Sequence, residues 1–325
     1  MFRILISVLI LMCTLGCGGS NDSSDSSDSN DLARETLPPV LSKTPLPMLS
    51  IEDKVEQVAT FIQLAYQVKY FHPSDGANAM NWDEFISYGI YRVANTNEHD
   101  EFVSVLIEVF SDIAPNLKIN GRSTIEVDSP QETDLVRIWY NQGYEDPHNT
   151  SPSVFDRQSV TDTYSTLKSL GYINTSSYQQ TLPLSIEIEL PVALSVVNDI
   201  SLPQSRVLAG DIDAFEIDTE FTNLYARLTA AGQLWSVIQH FYPYLDELTI
   251  NWQDELVPLL LGCIESTASC GMAMRKSLAQ TGDNHNYVSS ELTTLGDYTV
   301  PIGFSWLNEK VLVVYKNSDD IGVAI

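Results

Sequence analysis

Apolar side chains recur at helical spacing in two stretches of the chain and alternate with polar ones in a third. From Ile51, residues Val55, Val58, Ile62, Ala65 and Lys69 fall three or four positions apart, apolar except the last, and predict a helix with one buried face. Ser50 with Asp53 forms a capping box for its start. Pro73 stops it and pushes His72 out of the helical region. A polar loop over residues 74–80 leads to Asn81, a good N-cap residue. Asp83 and Glu84 follow in the first turn, where the helix dipole favours carboxylates. Phe85, Tyr88 and Val93 give this second helix an apolar face. A third helix is predicted over residues 99–113 from Phe102, Leu106, Val109 and Phe110.

The same logic returns near the C-terminal end. Leu224, Leu228, Ala231, Trp235 and Ile238 predict a helix over residues 221–241, which Pro243 ends. Asn251 caps the next helix, Trp252 takes its first position, and Pro258 should kink it. A third helix is expected over residues 269–279. The two stretches can be laid over each other without a gap at a separation of 170 positions. LAYQVKYFHPSDGANAMNWDEFI then faces LWSVIQHFYPYLDELTINWQDEL. Leu64/Leu234, Phe71/Phe241, Pro73/Pro243, Asn81/Asn251 and Trp82/Trp252 coincide. The matches fall where a helix stops and the next one starts, so the chain reads as a duplicated helix-stop-helix unit.

Between the two copies the period changes to two. Ile186, Ile188 and Leu190 alternate with Glu187 and Glu189, and the pattern continues through Val192, Leu194 and Val196. Residues 124–127 and 136–140 alternate similarly, and Pro191 implies a sheet edge or a bulge. Strand patterning returns over residues 298–304 and 310–315. The fold class is α+β: two related three-helix modules, residues 50–119 and 213–291, flank a β-rich domain over residues 120–212, and further strands occupy residues 292–325.

Residues 1–17 read as a targeting segment: Arg3 precedes a short apolar run that ends in Thr14-Leu15-Gly16-Cys17. That ending resembles a bacterial lipoprotein box, which makes Cys17 the lipidated N-terminus of the mature chain. Thr14 stands where an aliphatic residue is usual, so ordinary secretion stays open. Residues 18–49 contain SNDSSDSSDSND at positions 20–31 and continue through Pro38, Pro39, Pro45 and Pro47. They have little to bury and are expected to be a disordered tether. The expected location is the bacterial cell envelope, at the outer membrane, facing the periplasm or the surface. The formal net charge of −26 repels nucleic acid and anionic lipid, so contact with the membrane is expected through the anchor only.

Cys263 and Cys270 remain after processing. On one straight helix their Cα atoms would stand about 10 Å apart, too far for a disulfide. Pairing therefore needs a turn over residues 265–269; without it both stay thiols. The histidines His72, His99, His148, His240 and His285 show no zinc-ligand spacing, and no phosphate-binding glycine loop occurs, so neither metal nor cofactor is expected. Asp283-Asn284-His285 is the most suggestive polar cluster; it reads as a histidine oriented by a carboxylate or as a helix-exit turn. Tyr70, Phe71, Trp82, Trp235, Phe241, Tyr242, Tyr244 and Trp252 could stack a sugar, although aromatics at helix ends more often anchor a core.

The second copy, followed about thirty residues later by TGDNHNYV, resembles the N-terminal helical region of the tail-specific (C-terminal processing) serine peptidase family. The family's pattern has an aromatic-to-proline helix end, an Asp/Asn-Trp helix start and an Asp-Gly-His-Thr-like turn. Phe71, Pro73, Asn81, Trp82, Trp235, Phe241, Pro243, Asn251, Trp252, Asp283 and His285 carry the likeness. TVPIGFSWLNEKVLVVY resembles the opening strands of the PDZ-like domain that follows in that family.

The resemblance implies a non-catalytic N-terminal portion of an envelope-anchored serine peptidase, truncated before its Ser-Lys domain and inactive as it stands. No catalytic residue is carried over, and the implied partner is substrate polypeptide. The alternative is a non-enzymatic envelope lipoprotein that binds a peptide or a glycan. Sequence leaves the oligomeric state undetermined.

Overall fold

The computed structural model describes residue 51 and residues 54–123, 125, 128–141, 157–205, 220–283, 302–307 and 310–316. The chain divides into two compact units, Met1–Val288 and Ser289–Ile325. Within the first, helices α1 (Val55–Phe71), α2 (Asp75–Ala79), α3 (Trp82–Ala94) and α4 (His99–Ser111) lead into strand β1 (Lys118–Ile119). Strands β2 (Leu135–Asn141) and β3 (Arg157–Thr163), helix α5 (Tyr164–Ser169) and strands β4 (Ser177–Leu182), β5 (Ile186–Pro191), β6 (Leu194–Val197) and β7 (Ile200–Ser201) follow. Helices α6 (Leu224–Phe241), α7 (Leu256–Ile264) and α8 (Thr267–Ala279) close the unit. A 3₁₀ turn, Trp252–Glu255, leads directly into α7. The architecture is α+β, with antiparallel sheets.

Helix α1 is buried without interruption from Val58 to Val68. A helix apolar on every side belongs in the middle of a core, and α1 packs on α3, α6 and α7. Its polar exceptions need partners; Thr60, for example, donates its hydroxyl to the Glu56 carbonyl at 2.8 Å. Phe61, Phe85 and Phe110 form an aromatic centre, with ring centroids 5.4–6.2 Å apart. Gly89 lets α3 approach this cluster, because a methyl there would overlap the Phe61 ring.

The helix boundaries recur at the spacing of the repeat. Helix α1 ends at Phe71 and α6 at Phe241, while α3 spans 82–94 and the Trp252–Glu255 turn with α7 spans 252–264. His72 and Tyr242, the residues before the prolines, are both extended, as the proline clash requires. Packing exchanges in the same way: α1 meets α3 as α6 meets α7, and α3 meets α6 as α1 meets α7. Residues of both segments belong to one hydrophobic cluster. At the crossing of α1 and α6, Ile62 faces its own counterpart, Gly232, where an added Cβ would lie 2.9 Å from Ile62 Cγ2. Tyr66 donates to the Thr229 carbonyl at 3.3 Å, and Tyr70 shares a hydrogen bond with Ser236 at 3.1 Å.

Several local expectations change. The segment after Pro73 contains a helical turn, α2, because the Ser74 hydroxyl accepts from Ala77 N–H at 3.1 Å. Asn81 precedes α3 without capping it by its side chain, whereas Asn251 accepts from Gln253 N–H. Pro258 does not kink α7. It lies in the first turn, where its missing N–H breaks no bond, and the chain before it tightens to 3₁₀. Helix α8 starts two residues earlier than expected, at a reciprocal capping box between Ser266 and Ser269. This break after α7 brings Cys263 and Cys270 together as a disulfide. The capping box expected at Ser50 and Asp53 lies outside the described residues.

The segment between the helical stretches contributes two sheets. In the first, ordered β1-β5-β4, Ile186, Ile188 and Leu190 point into the helical core. Pro191 ends β5 opposite Ser177 and breaks no internal ladder bond. The second sheet, ordered β3-β2-β6-β7, rests Val136 and Ile138 on Tyr164 and Leu167 of α5, a helix that sequence patterning missed. Of the strand expected over residues 124–127, only Ile125 is described, and it is a bend. Arg137 ties the second sheet to α2: its guanidinium donates to Asp75 Oδ1 and Asp199 Oδ1, each at 2.5 Å. Asp75 Oδ2 in turn accepts from the N–H and hydroxyl of Ser201, each at 2.9 Å.

In the second unit, β8 (Ile302–Leu307) pairs antiparallel with β9 (Lys310–Lys316), with a register shift between Gly303 and Phe304. Gly89→Ala tests the aromatic centre of the first unit. The added methyl has no space, and a urea titration should show a loss of about 1–3 kcal/mol.

Candidate functional site

The residues that the repeat singles out are mostly scaffold. The Trp82 indole is buried and donates to the Ala77 carbonyl at 2.9 Å, holding α2 against α3. Trp235 and Trp252 are buried and donate reciprocally, each indole N–H to the other's carbonyl at 3.0 Å. Ala65 occupies the position in the first copy that Trp235 holds in the second, so this lock has no equivalent there. His72 is buried between Ser74, whose N–H its Nδ1 accepts, and the Pro115 carbonyl, 3.0 Å from its Nε2. Phe241 packs edge-on to Tyr70 at 4.9 Å. Pro73 and Pro243, buried and exposed respectively, act only as stops. Asp283 lies near Tyr242, whose phenol is pushed up by burial and by that carboxylate. Cys17 and His285 lie outside the described residues.

A cleft of about 340 Å³ opens between the first sheet and the ends of α1 and α6. Strands β4 and β5 supply Tyr178, Gln180 and Leu190, and the bend after β5 supplies Val192. The helices supply Gln67, Phe71, Trp235, Gln239 and His240. Pairing of Tyr178 with Leu190 across the ladder puts both side chains on the helix-facing side of the sheet. Of the residues marked by the repeat, Phe71 and Trp235 line this cleft. Gln67, Tyr178, Gln180 and Gln239 carried no sequence signal.

Three residues that line the cleft each have a buried polar atom with no hydrogen-bond partner among the described residues: Gln67 Oε1, Gln239 Oε1 and His240 Nε2. Gln67 is held by its other end, since its amide N–H donates to Gln180 Oε1 at 2.7 Å. The Tyr178 hydroxyl donates to that same oxygen at 3.5 Å, so Gln180 Oε1 accepts from both neighbours. Native proteins rarely leave buried acceptors unmatched, because each one costs about 1–3 kcal/mol.

His240 sits within a ring of aromatics, with centroids 5.4 Å from Phe71, 5.5 Å from Tyr70 and 6.3 Å from Trp235. Burial lowers its pKa to about 4, so its imidazole is neutral at pH 7. No side chain lining the cleft carries a formal charge at that pH. Among the described residues, no three His, Cys, Asp or Glu side chains gather to hold a metal. The cleft can take an apolar body, and among the described residues that line it there is no nucleophile activated by a base.

Comparisons with protein families, curated proteins and solved structures return no match for this chain.

The neutral His240 makes stability depend on pH. Its folded pKa lies below the ordinary value of about 6.5, so unfolding takes up a proton between those limits. Stability is therefore full above about pH 6.5 and falls until about pH 4, by about 3 kcal/mol in all. Urea titrations from pH 7 to pH 4 should show this loss in the parent chain and a smaller one in His240→Gln.

Proposed function

We propose that the chain is the non-catalytic N-terminal portion of an envelope-anchored serine peptidase of the tail-specific type, in which it handles or gates substrate polypeptide. The observation that carries this reading is the pair of helix-stop-helix corners, whose boundaries coincide at the repeat spacing and whose aromatic residues anchor them. On this reading the helices are two related three-helix modules flanking a β-rich middle. The hairpin of β8 and β9 is then the opening of a PDZ-like domain. The uncharged, largely apolar cleft suits polypeptide handling, since a peptide brings apolar side chains on an uncharged backbone. On this reading attachment is through lipidated Cys17; among the described residues no helix is long and apolar enough to cross a membrane.

The alternative, a non-enzymatic lipoprotein that binds a peptide or glycan, draws on the same cleft. Its glycan form has less support. The indole platforms are closed to a sugar, since Trp82, Trp235 and Trp252 are all buried, and tyrosines such as Tyr178 and Tyr244 are the open aromatic faces.

The purified chain should retain reduced, unfolded casein on a column and leave it uncut after prolonged incubation. Cleavage blocked by a serine-directed reagent would contradict the non-catalytic assignment; failure to retain casein would contradict polypeptide handling. In cells, Cys17→Ser should move the chain from the membrane fraction to the soluble one. An unchanged distribution would remove the lipid anchor.

A further inference from the structure

Two dipeptides of the first unit place a glycine directly after a side chain that can cyclise, Asp75-Gly76 and Asn120-Gly121. In each, attack by the glycine nitrogen on the side-chain carbonyl carbon closes a five-membered ring, and glycine has no side chain to hinder the approach. The structure sets the two apart.

At Asp75 the ring is barred. Asp75 Oδ1 accepts from Arg137, and Oδ2 accepts from the N–H and the hydroxyl of Ser201, each at 2.9 Å. Gly76 is buried in α2, and its N–H donates to the Ser205 hydroxyl at 2.6 Å. Closing the ring would give up these bonds, and a carboxylate paired with a guanidinium is a poor electrophile.

The surroundings of Asn120 differ at each of these points. Asn120 (φ 50°) and Gly121 (φ 70°) form a two-residue turn closed by Ile119 and Arg122, the conformation that favours this residue pair. Gly121 is exposed, and a Cβ built on it would meet no atom within 4 Å. The Asn120 side chain is a neutral amide whose Oδ1 accepts from Glu187 N–H at 2.8 Å, while Asn120 N–H donates to the Glu187 carbonyl at 2.8 Å. Oδ1 carries the negative charge of the tetrahedral intermediate, so Glu187 N–H is placed as an oxyanion donor. The atom held is not the atom that leaves, since ammonia departs with Nδ2.

We propose that Asn120 is a modification site at which the folded chain converts its own asparagine. The Gly121 nitrogen loses its proton to hydroxide and bonds to Asn120 Cγ. The Cγ–Nδ2 bond then breaks, ammonia leaves with a proton from water, and a succinimide remains. Water opens either ring carbonyl, giving aspartate or isoaspartate. One water is consumed and one ammonia released, with no redox partner. Both products weaken the strand pairing beside them. Lys118 pairs with Glu189 and Ile119 with Ile188, so position 120 lies opposite Glu187, and a new carboxylate there faces like charge. Isoaspartate also adds a methylene to the backbone of a turn that has room for two residues. Conversion therefore loosens β1, and with it the buried Ile119, from β5. This inference is independent of the polypeptide-handling reading.

The test incubates the full chain in heavy-oxygen water at mildly alkaline pH, folded and in urea, and maps its peptides by mass spectrometry. Opening of a succinimide writes heavy oxygen into the product carboxyl. In the folded chain, position 120 should take up label within about tenfold of its rate in urea, a barrier difference of about one net hydrogen bond. Position 75 should label at least about a hundredfold more slowly folded than in urea, because several bonds must break first. In the converted chain the Ile119 amide, which donates to the Arg122 carbonyl, should exchange its hydrogen at least about tenfold faster. Asn120→Gly keeps the turn, carries no amide, and should hold that exchange rate constant through the incubation. A folded chain unlabelled at position 120 overturns the proposal, whether or not the urea sample labels there, as does equal labelling of positions 75 and 120 in the folded chain. Unchanged exchange after conversion overturns the loosening of β1.

Discussion

The crossing of α1 and α6 is the contact on which the first unit depends. Ile62 meets Gly232 there at a distance that leaves no room for a larger side chain, and each residue occupies the other's position in the repeat. Two identical side chains could not both fill this point. Two isoleucines would collide, and two glycines would leave a void. The divergence of one copy to glycine lets helices buried on all sides approach closely, and Tyr66, Tyr70, Thr229 and Ser236 then close hydrogen bonds across the same seam. Helices α3 and α7 pack against both members of the crossing, and the first sheet adds Ile186, Ile188 and Leu190 to the common core.

The cleft follows from the same divergence. Gln67 corresponds to Val237, Gln239 to Lys69 and His240 to Tyr70. A strictly symmetric pair of helices would present equivalent chemistry on two sides. Here the polar atoms collect on the side covered by β4 and β5, and aromatic rings exclude water from His240. Burial holds its imidazole neutral, which keeps the cleft free of formal charge in a chain of net charge −26. A surface so acidic repels anionic partners at long range, whereas the described lining of the cleft is uncharged and largely apolar.

Much of the helical part was legible in the sequence, because its signals are local. Pro73 and Pro243 mark helix ends through sterics that involve one neighbouring residue, and both preceding residues are extended as expected. The alternation of Ile186, Ile188 and Leu190 reports a sheet with one face in the core. Local rules failed where a distant partner decides. The polar segment after Pro73 became α2 because Ser74 caps it and Arg137, far along the chain, grips Asp75. Pro258 seemed to interrupt a helix whose α-helical part begins only two residues before it. The cleft was illegible for the same reason. Gln67 and Gln239 read as ordinary helix formers, and only tertiary packing shows that both line the cleft with their oxygens buried. The tryptophans were conspicuous and proved structural, a consequence of their indole N–H groups finding carbonyls inside the core.

The most direct measurement is a double-mutant cycle at the crossing, comparing Ile62→Gly, Gly232→Ile and the two together by urea unfolding. Each single change should destabilise strongly, one by a cavity and the other by overpacking, at about 1–5 kcal/mol. The swapped pair should recover much of the loss, giving a coupling energy above about 1 kcal/mol, because it restores one large and one absent side chain at one point. Additive losses would contradict the account, since the two residues would then not share the contact that joins the repeated helices into one core.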